Sequence, residues 1–493
     1  MFDRALGAAH LGEWLRSLSR AVGELVDRRP VTGSEAEPLL GLLGRMREAG
    51  QSAALITDAH GRIAGLLTAE DFLERALPML EPNQPVASLR RRVPVLHEQD
   101  RIYQAICEMR RQRRYCLPVA DAAGRPLGLI RLESLLSAPF AGVLANLDST
   151  IVSGSAALSA DAKRAQANLV SVLLATGEPA LEVIGLINAL NDDIARTVLQ
   201  RALASMAEAG WGEPPVAFAV LLMGSAGRGE SLLNPDQDNG LILADYDASQ
   251  QQNVDRFFAV LAQRFTRELD QTGFPLCAGG VMATNPVWRK TLAQWRQQVA
   301  GWVSARGSEE IMFTDIFFDF RATFGSPDLG ALLRRHVTAA AQDNLPFLAQ
   351  ISWLQHERAS SVDVFGQLIA KDGPEENAID LKLRGTKPLV EIVRLLGLKN
   401  GIAATGTVAR IAALEQAGVL AGEDATSLSN NVTFLLELLL RHQMDKILAG
   451  RTPDNFIKPE TLARGERERL VHVLREIDRW RQRIVREFFP SIA

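Results

Sequence analysis

The sequence has few cysteines, few histidines and no long apolar run. Its 493 residues include 3 cysteines and 7 histidines, which are scattered without the spacing of a metal site. This scarcity argues against a disulfide framework and a zinc site, and it favours a reducing, cytoplasmic location. Because no run of about 18 apolar residues occurs, no membrane span is expected.

The chain also lacks a strong charge of either sign. The net charge of −4 gives no general attraction to nucleic acid or to an anionic membrane. No DNA partner is therefore expected, and RNA is the weakest candidate acceptor. Basic clusters at 90–92 and 110–114 are more typical of a solvated face than of a nucleic-acid site. The length suggests about three domains.

An internal repeat occupies residues 31–140. Each copy combines a helix, a strand, an Asp-x-x-Gly turn, a short strand and a polar-capped helix. The turns begin at Asp58 and Asp121, which are 63 positions apart. In the second copy the pattern predicts a helix over Ile102–Gln112 and strands over Cys116–Ala120 and Pro126–Ile130. A repeat of this kind is one supersecondary unit used twice.

This repeat resembles a tandem pair of CBS domains, modules that often bind adenine nucleotides. The family's Gly-h-x-Thr/Ser-x-x-Asp segment is kept at 65–71, so the resemblance implies that Thr68 and Asp71 contact AMP or ATP. The second copy has Arg131 and Ser134 at the equivalent positions. The alternative is that Thr68 only caps a helix. The resemblance also suggests a homodimer through the CBS pair.

Near the middle of the chain, a glycine-serine turn and two aspartates lie between two apolar runs. Gly224 and Ser225 follow the run 217–223, and Asp236 and Asp238 precede the run 240–244. Alternate residues of a strand share a face, so the two carboxylates would point the same way. Phosphoryl transfer depends on positioning and charge neutralisation, which paired metal ions provide. Glycine would let a phosphate approach the backbone.

A third carboxylate for such a site is expected from the segment 316–321. Its alternation predicts a strand that buries Ile316, Phe318 and Phe320 on one face. Asp319 and Arg321 would share the other face, which makes Asp319 the candidate third metal ligand. The alternative is an internal ion pair between Asp319 and Arg321.

Other interpretations of the central segment are weaker. Gly224 and Gly229 have the spacing of a P-loop, but Glu230 stands where that motif needs lysine. The simplest alternative is a glycine turn followed by an Asx-rich hairpin. Three tryptophans spaced by seven are predicted to share one helix face, and core packing is favoured over base stacking. These are Trp288, Trp295 and Trp302.

The central motif resembles the nucleotidyltransferase superfamily that includes DNA polymerase beta. Within it, residues 224–243 are similar to nucleotidyltransferases related to PII uridylyltransferase, which often carry CBS domains upstream. The resemblance covers roughly 150–493. It implies metal-binding, catalytic roles for Asp236, Asp238 and Asp319, and NTP contacts from Gly224, Ser225 and Arg228. The histidine cluster of a uridylyl-removing domain is absent.

The expected fold is α/β (α+β), with a CBS pair, a polymerase-beta-type mixed sheet and a C-terminal helical bundle. The expected activity is Mg²⁺- or Mn²⁺-dependent transfer of NMP from an NTP to an acceptor, expected to be a protein, under regulation by adenine nucleotide at the CBS pair. The alternative is a non-catalytic nucleotide-sensing protein. The expected parts are an N-terminal helix (1–30), the CBS pair (31–140), a helical connector (141–212), the nucleotidyltransferase core (213–328) and a C-terminal substrate-binding-type domain (329–493).

Overall fold

The chain folds as two compact units. In the computed structural model these are residues 1–149 with 175–177, and residues 150–174 with 178–493. The structure describes residues 20–69, 71, 85–88, 90–91, 93–112, 114–131, 166–171, 173–175, 177–304, 308–356, 362, 368–369 and 377–488. In both copies most of the polar-capped helix, expected after Thr68 in the first and after Arg131 in the second, lies outside these residues.

The first unit contains two sheets with the same topology. In each, a first strand pairs in parallel with a central strand, which pairs antiparallel with a third. The strands are β1 (Val31–Ser34), β2 (Ala53–Thr57), β3 (Ile63–Thr68), β4 (Leu96–His97), β5 (Cys116–Ala120) and β6 (Pro126–Arg131). Helices α1 (Leu39–Glu48) and α2 (Ile102–Gln112) precede the two central strands. The predicted tandem repeat is confirmed.

Helix α1 shows why each repeat closes on its own sheet. Leu39, Leu42 and Met46 recur at helical spacing and are buried. They pack against Ala54 and Ile56 of β2, which are fully buried as well. An amphipathic helix and a strand that is buried on both faces thus form one small core.

The second unit is built on a mixed four-stranded sheet in the order β10-β7-β8-β9. Only β8 and β9 run parallel; the other neighbours are antiparallel. The strands are β7 (Phe218–Leu222), β8 (Asn239–Leu243), β9 (Arg289–Thr291) and β10 (Arg321–Gly325). Helices α3 (Ala180–Glu208) and α5 (Gln251–Gln271) pack their apolar faces on β7 and β8. The five-residue helix α4 (Gly224–Arg228) follows β7 directly.

Helices dominate the rest of this unit. They are α6 (Leu292–Ser304), α7 (Ser308–Phe317), α8 (Pro327–Gln342), α9 (Leu345–His356), α10 (Lys387–Lys399), α11 (Thr407–Gln416), α12 (Gly422–Leu448) and α13 (Arg464–Phe488). A π-helical turn, Lys382–Thr386, leads into α10. The short strands β11 (Ile379–Asp380) and β12 (Phe456–Ile457) pair antiparallel. The expected α/β class, with a mixed sheet and C-terminal helices, is confirmed.

The tryptophan prediction is confirmed for packing but wrong for placement. Trp288, Trp295 and Trp302 are at most 3% exposed, and their ring centroids lie 5.9–6.3 Å apart. Trp288, however, ends a 3₁₀ turn (Pro286–Trp288) before α6 begins. The three rings therefore meet in the core without sharing one helix face.

The strand predicted over 316–321 is also wrong. Helix α7 continues to Phe317, and β10 begins only at Arg321. Phe317, Phe318 and Phe320 are all buried, so no alternation exists. Asp319 lies in the turn between the two elements. No helix among the described residues is long and apolar enough to cross a membrane.

Candidate nucleotide and metal site

The glycine-serine turn is held against the aspartate segment by the pairing of β7 with β8. Leu222 lies opposite Asn239, and the Met223 N–H donates to the Asp238 carbonyl oxygen at 2.9 Å. Gly224 follows with φ +57°, in the left-handed region that favours glycine. A Cβ there would lie 2.8 Å from Asp238 Oδ2. The turn therefore needs glycine both for its backbone and for the space that the carboxylate occupies.

Asp236 and Asp238 come together with Cys277. One carboxylate oxygen of each aspartate and the Cys277 Sγ lie within 4.8 Å of one another. Asp236 is exposed, and the other two are partly buried. Asp238 Oδ1 is buried and has no hydrogen-bond partner among the described residues. A buried, unpartnered carboxylate oxygen beside a second carboxylate fits a hard divalent cation such as Mg²⁺.

The protonation of Asp238 reflects this crowding. Burial, together with the neighbouring charge of Asp236, raises the pKa of Asp238 to about 6. A hydrogen bond from the Cys277 thiol and the positive charges of Lys382 and Arg228 act in the opposite direction. The charged form of Asp238 is therefore disfavoured unless a cation neutralises it.

Asp319 does not join this group, which corrects its predicted role as a metal ligand. It is completely buried. Its Oδ1 accepts from Arg410 at 2.7 Å, and its Oδ2 accepts from Arg228 at 2.9 Å and Arg394 at 2.8 Å. Both oxygens are thus committed to guanidinium groups. The alternative, an internal ion pair between Asp319 and Arg321, is wrong too, because Arg321 binds Asp192 at 2.7 Å.

The three arginines determine the charge state of Asp319. Burial on its own would raise the pKa of this carboxyl, but attraction to Arg410, Arg394 and Arg228 outweighs it and holds the pKa well below the ordinary value. Arg394 also binds Asp315 at 2.7 Å. The result is a buried ion network that joins α4 and the turn after α7 to α10 and α11.

Glu230 extends this network to the start of α11. Its Oε2 accepts from Arg228 Nε at 2.7 Å, and its Oε1 accepts from the Thr407 N–H at 2.6 Å. The residue that rules out a P-loop therefore holds the glycine-serine turn against the C-terminal helices. Arg228, predicted to contact NTP, is anchored on both sides by carboxylates.

A cleft opens beside the turn and the aspartates. It is partly open to solvent. The polar side includes Ser225, Arg228, Glu230, Asp236, Lys382, Gln443, Asp454 and Asn455. The apolar side includes Leu389, Val390, Val432, Leu436 and Leu439 from α10 and α12. Charged groups at one end and an apolar wall suit a ligand with a phosphate chain and a flat ring.

Sequence reasoning missed Cys277 and most of the C-terminal wall. The cysteines carry no metal-site spacing, and Cys277 lies 39 positions after Asp238. On the C-terminal side, Lys382 lines the cleft, and Arg394 is buried.

In the first unit, Asp71 has a different role from the predicted one. It is 1% exposed, and Arg114 binds both its oxygens at 3.0 Å. The Thr68 N–H donates to Asp71 Oδ2 at 3.1 Å, and Thr68 Oγ1 accepts from the Asp71 N–H at 3.1 Å. This is the reciprocal arrangement of a capping box. The structure thus supports the capping alternative for Thr68 and corrects the prediction that Asp71 reaches a nucleotide.

Comparison with known families agrees with the division of the chain into two units. Residues 164–309 match the family described as "Putative nucleotidyltransferase DUF294". Residues 346–488 match "Putative nucleotidyltransferase substrate binding domain". Residues 22–77 and 86–141 each match the CBS domain. The chain is a CBS-domain-containing member of the DUF294 family. Its second unit thus carries a nucleotidyltransferase-type domain and the substrate-binding domain that accompanies it.

Solved structures similar to the chain include CBS proteins. A Pyrobaculum aerophilum CBS domain protein, solved with AMP, is 19% identical over 24% of this chain and 90% of its own, with a TM-score of 0.23. A CBS domain pair/ACT domain protein of Thermotoga maritima is 24% identical over 24% of this chain and 94% of its own, with a TM-score of 0.21. No curated protein matches.

Proposed function

We propose that this protein is a metal-dependent nucleotidyltransferase, which moves NMP from an NTP to an acceptor and releases pyrophosphate. One observation carries the proposal. Asp238 presents a buried, unpartnered oxygen next to Asp236, which lines the cleft together with Ser225 and Lys382. Paired carboxylates of this kind would hold the metal ions that phosphoryl transfer uses to neutralise charge.

Each group has a role that follows from its position. Asp236 and Asp238 would hold Mg²⁺ or Mn²⁺, and a bound ion supplies charge neutralisation for the phosphates. Lys382 stands on the cleft wall and would contact the phosphate chain directly. Arg228 and Ser225 would orient that chain at the turn, with Gly224 keeping the backbone clear of it. Asp319 acts only indirectly, because it fixes Arg228.

A labelling experiment tests the activity. The full chain is incubated with Mg²⁺, each labelled NTP in turn and a cell lysate, and pyrophosphate release is followed. The double variant Asp236→Asn, Asp238→Asn should abolish transfer while its unfolding curve stays cooperative. A matched control is Asp245→Asn, which changes a carboxylate just past β8 outside the cleft. If NTP binds but neither label nor pyrophosphate appears, the non-catalytic alternative is correct.

We further propose a protein acceptor. One support is the similarity of the 224–243 segment to relatives of PII uridylyltransferase. The other is that the chain has no strong positive charge, which argues against a nucleic-acid acceptor. The labelled product should be sensitive to protease and resistant to nuclease. If more label is transferred from UTP than from each of the other three nucleotides, the similarity to PII uridylyltransferase would include the choice of donor nucleotide.

Adenine nucleotide at the CBS pair is proposed as the regulator. The support is the family match of both repeats. Calorimetric titration of the full chain with AMP and ATP should show binding that survives the Asp236→Asn, Asp238→Asn double variant. Binding that vanishes with this variant would place the nucleotide at the transferase site alone.

A further inference from the structure

The loop that carries Cys277 is fixed beside the aspartate segment by two backbone hydrogen bonds. The Gln237 N–H donates to the Pro275 carbonyl oxygen at 3.0 Å, and the Asn239 N–H donates to the Val281 carbonyl oxygen at 3.0 Å. These bonds flank Asp238 on both sides in sequence. Cys277 thus faces Asp238 because backbone pairing places it there, and its position does not depend on a mobile side chain.

Further contacts fix the loop itself. The Gly280 N–H closes a turn onto the Cys277 carbonyl oxygen at 3.0 Å. Asn239 completes the support, since its Oδ1 accepts from the Ala283 N–H at 2.9 Å. The Cys277 sulfur therefore has a defined position, within 4.8 Å of one carboxylate oxygen of each aspartate.

We propose that Cys277 is a third protein ligand of the cation held by Asp236 and Asp238, and that it gives the site a preference for thiophilic divalent ions over Mg²⁺. The inference rests on the metal site of the proposed function and adds a donor to it. Ion binding forms a metal–sulfur bond, and the thiol proton leaves to solvent. Thiolate selects softer ions, whereas carboxylates alone suit Mg²⁺.

The distances permit this arrangement. Metal–sulfur bonds of about 2.3 Å and metal–oxygen bonds of about 2.1 Å place tetrahedral ligand atoms roughly 3.6 Å apart. The three ligand atoms now lie within 4.8 Å of one another. Closing the remaining gap takes at most about 1 Å of side-chain movement, which the exposed Asp236 is free to make.

The rival role for Cys277 is that of a hydrogen-bond donor that only orients Asp238. Both roles predict that its loss impairs the site, so activity does not separate them. A spectroscopic signature does, because only a sulfur–metal bond gives a sulfur-to-cobalt charge-transfer absorption in the near ultraviolet.

The test titrates Co²⁺ into the full chain and into Cys277→Ser, with Cys107 and Cys116 present in both. The charge-transfer band should appear in the wild type and be lost in Cys277→Ser. Calorimetry should show Cd²⁺ binding weakened about tenfold or more by the same substitution, and Mg²⁺ binding weakened less. The chemically inert Cys277→Ala should behave like Cys277→Ser.

Two results would overturn the assignment. One is Co²⁺ binding that needs Asp236 and Asp238 but gives no band in the wild type, which would leave Cys277 as a hydrogen-bond donor. The other is a band that persists in Cys277→Ser. Failure of the proposed function gives a different result. If the charge-transfer band appears but no metal ion supports NMP transfer, Cys277 is a metal ligand and the proposed activity is wrong.

Discussion

Gly224 and Asp238 approach so closely that a Cβ at residue 224 would lie 2.8 Å from Asp238 Oδ2. The turn and the carboxylate are thus one structural unit, although 14 positions separate them in sequence. The glycine that we propose lets a phosphate approach the backbone also sets the position of the proposed metal-binding oxygen.

Gly224→Ala should therefore damage the site more than it damages the fold. Alanine at φ +57° costs roughly 1–2 kcal/mol of backbone strain. It would also displace the Asp238 carboxylate, so divalent-ion affinity should fall about tenfold or more. Calorimetric titration with Mn²⁺, together with urea unfolding, measures both effects.

The matched control for that substitution is Gly229→Ala. Gly229 has φ +72°, and nothing lies within 4 Å of a Cβ placed there. The backbone penalty is therefore similar, but no carboxylate moves. Equal losses of ion affinity in the two variants would show that strain, not displacement of Asp238, is responsible.

Asp319→Asn should lower the free energy of unfolding of the second unit. The substitution keeps the shape of the side chain but leaves Arg228, Arg394 and Arg410 without their shared counter-charge. Removing one partner of a buried ion pair costs about 3–5 kcal/mol. Urea unfolding monitored by tryptophan fluorescence would report this, since the Trp288 cluster packs on Phe317 at the same turn.

The pH dependence of this loss has a definite sign. The pKa of Asp319 is held below its ordinary value of 3.8 in the folded state. Its contribution to stability is therefore complete above about pH 4 and disappears as the pH falls toward the folded-state pKa. The difference between wild type and Asp319→Asn should shrink in acid. Asp192→Asn, which breaks the partly exposed pair with Arg321, should cost about 1 kcal/mol or less.

The sequence was sufficient for the parts of the site that are local. The CBS repeat, the turn at Gly224 and the Asp236–Asp238 pair all follow from short-range patterns of apolar and polar residues. Asp319 was misplaced because the buried aromatics around it, Phe317, Phe318 and Phe320, fit a helix end as well as a strand. Nothing in its surroundings indicated Arg394 and Arg410, which come from helices 75 and 91 positions away. Such long-range ion pairs leave no periodicity in the sequence.

Asp238→Asn should stabilise the metal-free protein at neutral pH while it removes ion binding. For an aspartate whose folded-state pKa is raised to about 6, ionisation is penalised in the fold. Stability therefore declines as pH rises from about 4 to about 6 and stays low above that. Asparagine avoids the penalty, which is on the order of 1–3 kcal/mol. Thermal unfolding in EDTA at pH 4 and pH 8 measures it.

The control for this effect is Asp270→Asn on the exposed face of α5. It also removes one negative charge, but not from a buried site, so its effect should be small at both pH values. If Asp238→Asn is destabilising at pH 8, then burial of the charged carboxylate is not the cost that the geometry indicates.

Lys382→Met should weaken NTP binding without disturbing the fold. Lys382 lines the cleft, and no ion pair ties its amine to a carboxylate among the described residues. Loss of one charge-assisted contact to a phosphate costs about 1.5–3 kcal/mol, so the KM for NTP should rise about tenfold or more. Lys387→Met is the matched control, because Lys387 lies five positions on and faces Asp315 and Glu391 at 4.0 and 3.7 Å. Equal KM values for the two variants would mean that the phosphate chain does not pass along this wall of the cleft.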